Sequence, residues 1–207
     1  MEKSSVVKGI KPKIPIILAS GSESRKIMLD EAGIEFQVIT SNVNEEELKQ
    51  KIAEISFNQQ VIYLAKAKAE SVSLDYENNI VIGGDQMCTF EGKVFHKPGT
   101  KEKAVENLRL LSGKEHFQHS GICIYKNNEC IWEYSESVKL KMHDLSTDEI
   151  NNYVAMENPI YAAGSYKFES LGCNLFSYVN GSSYTVRGMP LIPLLNALRE
   201  LDIIDLK

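Results

Sequence analysis

The sequence predicts a mixed α/β fold, and three observations carry that reading. Apolar runs of strand length alternate with segments of helical periodicity, and two of the runs fold back on tight turns as hairpins. A chain of 207 residues is also long enough to bury a real core, as one large domain or two intimate lobes. The hairpins interrupt a pure βαβ order, so the sheet is expected to be mixed rather than the parallel sheet of a Rossmann fold.

The elements follow in order. Residues 1–13 are polar and read as a loose N-terminal tail, with residues 14–207 as a single domain. Residues 14–19 form an apolar first strand. Ser20 and Glu23 have the spacing of a capping box for the helix that follows, and Gly33 suits its C-terminal end. Residues 36–40 read as a second short strand. An acidic loop over residues 42–47 runs into a helix starting near Glu45.

Residues 58–73 place Val61, Leu64, Ala65 and Val72 on one helical face, with Lys66 and Lys68 among them. Residues 80–83 are a buried strand that delivers Asp85 at or just past its end. Residues 86–94 read as a hairpin turning at Glu91-Gly92, closed by Lys97-Pro98 because proline cannot continue a ladder. Thr100 caps a helix to Leu111. Residues 117–125 and 130–142 alternate as strands around Asn127-Asn128. Ser146 and Glu149 form a second capping-box pair, opening a helix to residue 156. Residues 171–179 read as a strand and 190–201 as a closing amphipathic helix.

Composition excludes some functions. A net charge of −5 argues against bulk binding to nucleic acid, which needs many phosphate-neutralising cations. It leaves room for a small anion in a local basic pocket. The 4 cysteines are scattered without a CxxC pair, so no zinc or redox motif is read and the thiols are expected to be reduced. No apolar run approaches membrane-spanning length. The expectation is a cytoplasmic protein with no membrane partner.

Chemistry concentrates where strands end. After the first strand, Ser20, Ser22 and Arg25 surround a helix start, whose free N–H groups and partial positive charge suit a phosphate. Asp85 can ligate a hard cation or take a proton from water, and it reads equally well as a turn-forming aspartate. Glu45, Glu46 and Glu47 read first as a solvated helix start. Lys68 reaches either a phosphate or solvent, and Lys97 is a fixed cation before a proline. Lys167 and Glu169 sit near a later strand. There is no Walker motif, no GxGxxG and no serine nucleophile elbow. Spacing alone does not identify the reaction.

Taken together, the segments are similar to the Maf family of nucleoside triphosphate pyrophosphatases. Leu18-Ala19-Ser20-Gly21-Ser22-Glu23-Ser24-Arg25 resembles the family's opening motif, and Val43-Asn44-Glu45 its Val-Asp-Glu. Ala65-Lys66-Ala67-Lys68-Ala69, Ile82-Gly83-Gly84-Asp85-Gln86, Lys97-Pro98 and Leu111-Ser112-Gly113 follow in the family's order. The stretch from Gly164 to Gly172 and Gly188-Met189-Pro190-Leu191 resemble its C-terminal signatures. Glu23, Ser24 and Asn44 depart from the usual residues.

The resemblance implies an elongated mixed sheet flanked by helices, in two lobes around a central cleft, like inosine triphosphate pyrophosphatase. It implies hydrolysis of a nucleoside triphosphate between the α- and β-phosphates with a divalent cation, Mg²⁺ or Mn²⁺. By resemblance Asp85 is the proton acceptor, and Ser20, Ser22, Arg25, Lys68 and Lys97 face the phosphates. Glu45 and Asp85 hold the metal, and Ser24, Gln86 and Glu169 fall at positions tied to base selection. Gln86 and Glu169 are closer to the branch that prefers 7-methyl-GTP than to the one acting on dTTP and UTP. The family often forms homodimers, so a second copy is an expected partner. A nucleotide-binding regulator without turnover is the rival reading.

Overall fold

The computed structural model describes residues 9–206. Seven strands form one sheet: β1 (Ile16–Ala19), β2 (Gln37–Val38), β3 (Ile80–Phe90), β4 (Lys93–Phe95), β5 (Glu115–Lys126), β6 (Glu129–Met142) and β7 (Phe176–Asn180). Their order is β2-β1-β3-β5-β6-β7, with β4 also paired to β3. β1 is parallel to β2 and β3, and every other pairing is antiparallel. The sheet is mixed, as the two hairpins require. Both turn where the sequence marks them, with Glu91, Gly92, Asn127 and Asn128 all at positive φ.

The helices are α1 (Glu23–Glu31), α2 (Glu45–Lys51), α3 (Phe57–Ser73), α4 (Lys101–Leu111), α5 (Thr147–Glu157), α6 (Ser183–Val186) and α7 (Leu191–Glu200). Alternation along the strands divides the core between the two faces. Ile16, Leu18, Ile80, Ile82, Ile122 and Ile124 face α1 and α7, packing on Met28, Leu29, Leu191 and Leu194. Ile17, Ala19, Val81, Cys123 and Tyr125 face α3 through Ala65, Ala69 and Val72. A second core gathers Leu108 and Leu111 of α4, Ile150 and Val154 of α5, and Val138, Leu140 and Met142 of β6. The long strands β5 and β6 serve both cores, which gives the molecule its two lobes.

Several sequence expectations need correction. Residues 80–83 and 86–90 are not two units but one 11-residue strand, and Asp85 lies within it rather than past its end. The glycines that suggest a turn there answer close approach instead. A Cβ on Gly83 would lie 2.1 Å from the Ala65 carbonyl oxygen of α3, and one on Gly84 would lie 3.1 Å from Arg25 Nε. Residues 171–175 form a 3₁₀ turn, so β7 begins only at Phe176. Of the expected tail, residues 1–8 lie outside the described residues. From there the chain is tied down: Ile10 bridges Ile34, the Lys13 amide donates to the Ile203 carbonyl at 2.9 Å, and the Lys13 ammonium pairs with Asp202. Among the described residues, no helix is long and apolar enough to cross a membrane.

Candidate active site

The site begins as a gap in the sheet. β5 pairs with one edge of β3 without interruption from Val81 to Thr89. On the other edge, β1 pairs only as far as Ala19 opposite Gly83, and β4 begins only with Phe95 opposite Cys88. Among the described strands, residues 84–87 therefore have no partner on that edge. The chain leaves β1 at Ser20 on one side of this gap and leaves β4 toward Lys97 on the other.

Ser22, not Ser20, is the N-cap of α1, where its hydroxyl faces the Arg25 amide at 3.5 Å. Ser20 is turned away from that role. Its hydroxyl accepts from the Ser22 amide at 3.2 Å and from Arg25 Nη1 at 3.0 Å. The expected Ser20–Glu23 capping box is thus corrected: Glu23 is solvent-facing and pairs loosely with Lys26 at 3.6 Å. Arg25 is only 6% exposed, and its Nε donates to the Gly188 carbonyl at 2.7 Å. Burial works against its charge, while the carboxylates of Asp85 and Glu45 support it.

Three charges meet beside it. Lys68, from the middle of α3, donates to Asp85 Oδ1 at 2.7 Å and pairs with Glu45 Oε1 at 2.9 Å. Glu45 opens α2 behind its cap, Asn44, whose side-chain oxygen accepts from the Glu47 amide at 3.3 Å. Asn44 therefore caps α2, a role that its side-chain oxygen alone performs. Partial burial pulls the Glu45 pKa upward, but Lys68, Lys49 and Lys97 outweigh it and hold the carboxyl below its ordinary value. Lys97 is exposed, and its charge is felt at Glu45, which places it at the open side of the cluster.

The residues expected to select a base divide. Gln86 donates its amide to the Val186 carbonyl at 2.7 Å, and Ser24 donates its hydroxyl to the Arg187 carbonyl at 3.0 Å. Both therefore bind the same segment rather than an open pocket. Glu169 is exposed near the 3₁₀ turn at 171–175, where its charge acts on Tyr153. No hydrogen bond or ion pair described here joins it to the Asp85 cluster. Sequence reasoning missed residues 182–187 and read Gly188 only as the start of a C-terminal signature, yet this segment holds Arg25, Ser24 and Gln86 through backbone carbonyls. The signal available for it was Gly188, a glycine just ahead of the closing helix, which adopts φ +103°.

Comparison with known proteins adds three findings. Residues 15–201 match the model of a family described as Maf-like protein. A "nucleoside triphosphate pyrophosphatase" of Legionella pneumophila is 41% identical over 192 residues, covering 93% of this chain and 96% of the relative. A "7-methyl-GTP pyrophosphatase" of Rhizobium meliloti is 34% identical over 194 residues, covering 92% and 98%. Among solved structures, a nucleoside-triphosphatase (dITP/XTP pyrophosphatase) from Mycobacterium abscessus aligns over 90% of this chain and 94% of its own with a TM-score of 0.46 at 12% identity.

Proposed function

The chain belongs to the Maf family, and from that premise we propose that it is a nucleoside triphosphate pyrophosphatase whose substrate lies along the open edge of β3. The reaction cleaves the bond between the α- and β-phosphates, giving a nucleoside monophosphate and pyrophosphate. The observation that carries this reading is the convergence of Arg25, Lys68, Asp85 and Glu45 at a gap in the sheet. Such transfers depend on positioning and on neutralising charge more than on covalent chemistry.

Each residue has a part in this scheme. Asp85 accepts a proton from the water that attacks the α-phosphorus, and the Lys68 ammonium on its Oδ1 keeps the carboxylate oriented. Arg25, Lys68 and Lys97 take up negative charge from the phosphates, with the Ser20 and Ser22 hydroxyls and the first amides of α1 beside them. Ser24 and Gln86 support base choice through residues 186–187, to whose carbonyls both are bonded.

The donor set also suits a divalent cation. Glu45 and Asp85 are hard oxygen donors that converge on one cationic atom, the Lys68 nitrogen, within 2.9 Å. Mg²⁺ and Mn²⁺ bind through one or two carboxylates with phosphate oxygens completing the shell. When bound, the metal supplies further neutralisation across the phosphates. The 4 free cysteines fit a reducing cytoplasm.

The test is pyrophosphate release with Mg²⁺ or Mn²⁺ from 7-methyl-GTP, dTTP, UTP, CTP and ITP. Wild type is expected to turn over at least one of them. Asp85→Asn is expected to lose release by about a thousandfold or more while still binding nucleotide. Turnover by Asp85→Asn at the wild-type rate removes Asp85 from the mechanism.

A further inference from the structure

Resting on the reading of Arg25 as a phosphate ligand, we infer that Thr185 is a positioning residue, clamped by Glu136 and Ser120 so that the Gly188 carbonyl aims the Arg25 guanidinium into the site. The starting observation is a run of carbonyls. Each one from Thr185 to Gly188 accepts a hydrogen bond from a side chain of another element. Ser120 of β5 donates to Thr185 at 2.8 Å and Gln86 of β3 to Val186 at 2.7 Å. Ser24 of α1 donates to Arg187 at 3.0 Å, and Arg25 Nε donates to Gly188 at 2.7 Å.

α6 is a four-residue helix, too short to hold its own place. Its place comes from Val186 and Tyr184 packing into the cores and from these bonds, which fall into two sets. Ser120 and Gln86 fix the segment to the sheet, and Ser24 and Arg25 receive their own positions from it. Thr185 is the hinge between the sets. It is fully buried, its carbonyl takes the Ser120 bond, and its hydroxyl donates to the Glu136 carboxylate of β6, a charge-assisted bond.

Ser120 and Glu136 are register partners on β5 and β6, so two adjacent strands grip one residue. Gly188 takes φ +103°, and a Cβ there would lie 3.0 Å from Gln86 Oε1, so the carbonyl that Arg25 binds comes from a backbone that glycine suits. With Nε fixed by Gly188 and Nη1 by Ser20 at 3.0 Å, the guanidinium plane is set. A loosened Thr185 lets Gly188 drift, and the guanidinium drifts with it.

Thr185→Val keeps the shape and removes the hydroxyl. The expected result is an increase of about tenfold in KM for the triphosphate and an equal loss of affinity for inorganic pyrophosphate, with a smaller change in kcat. Thr185→Ser is expected to restore both. In an Arg25→Lys background, which has no Nε fork to aim, Thr185→Val is expected to add nothing further. A merely structural threonine would lower stability without this coupling.

Wild-type KM and pyrophosphate affinity in Thr185→Val overturn the inference, and so does an equal effect in both backgrounds. If Thr185→Val does not fold, Glu136→Leu on the half-buried partner decides by the same comparison. A wild type that binds pyrophosphate but releases none from triphosphates sinks the proposed function and leaves the clamp readable by calorimetry. A wild type that neither turns over a triphosphate nor binds pyrophosphate overturns both.

Discussion

Lys68 is the residue on which the electrostatics of the cluster turn. It is only 8% exposed, and it has two carboxylates within 2.9 Å. Asp85 is equally dependent on it, since its side chain is only 9% exposed. Lys68→Met therefore leaves Asp85 as a buried charge without its ammonium, a loss of up to ~3 kcal/mol, reduced because Glu45 is partly open to solvent. Activity is expected to fall by about a hundredfold, because both the orientation of the base and one phosphate contact go. A cation supplied from outside should substitute for the lost one. Manganese is therefore expected to raise the melting temperature of Lys68→Met by more than it raises that of wild type. Equal shifts in differential scanning fluorimetry would mean that Glu45 and Asp85 do not share a metal.

At the scale of elements, the placement of α3 is what brings Lys68 to Asp85, and two glycines permit it. A Cβ on Gly83 would lie 2.1 Å from the Ala65 carbonyl oxygen, and one on Gly121 would lie 2.6 Å from the Val61 carbonyl carbon. Both obstacles are backbone, so the helix itself must move. Gly83→Ala is expected to cost ~2–3 kcal/mol in urea unfolding and to lower kcat/KM as well, since Lys68 rides on the displaced helix. Stability loss with unchanged kcat/KM would separate helix position from catalysis. The same glycines explain what the sequence could and could not disclose. Periodicity reveals α3 to within a residue of its start, and Thr100 and Ser146, acting locally as N-caps, mark where α4 and α5 begin. Gly83-Gly84 reads as a turn because a sequence shows a missing side chain but not the helix and arginine that fill its space. Ser20, Ser22, Arg25, Lys68 and Asp85 are legible as polar groups beside apolar runs. The clamp on residues 185–188 is not, since its acceptors are backbone carbonyls, which every residue carries alike.

At the scale of the whole molecule, β5 and β6 carry the chain from the core beneath the site into a second core around α4 and α5, and a histidine buried in that second core ties it to pH. His116 on β5 lies in the second lobe, fully buried, with Nε2 2.9 Å from the Tyr166 hydroxyl and its ring against Tyr166 and Phe176. Burial pushes its pKa down to about 4 from an ordinary 6.5. The unfolded chain therefore binds a proton at a pH where the folded chain refuses it, and stability must fall as pH drops from about 6.5 through about 4. The contribution of this one group reaches ~3 kcal/mol, fully present above the upper limit and absent below the lower. His116→Gln removes the titration and leaves a polar group for Tyr166. The variant is expected to be less stable than wild type at pH 7 yet to lose less stability between pH 7 and pH 4.5, as read from urea midpoints. Hydrogen exchange at pH 4.5 should show the β5–β6–β7 end opening ahead of β1 and α3, because the histidine charges in that lobe. Parallel pH slopes for the two proteins would show that His116 does not set the acid limit of the fold.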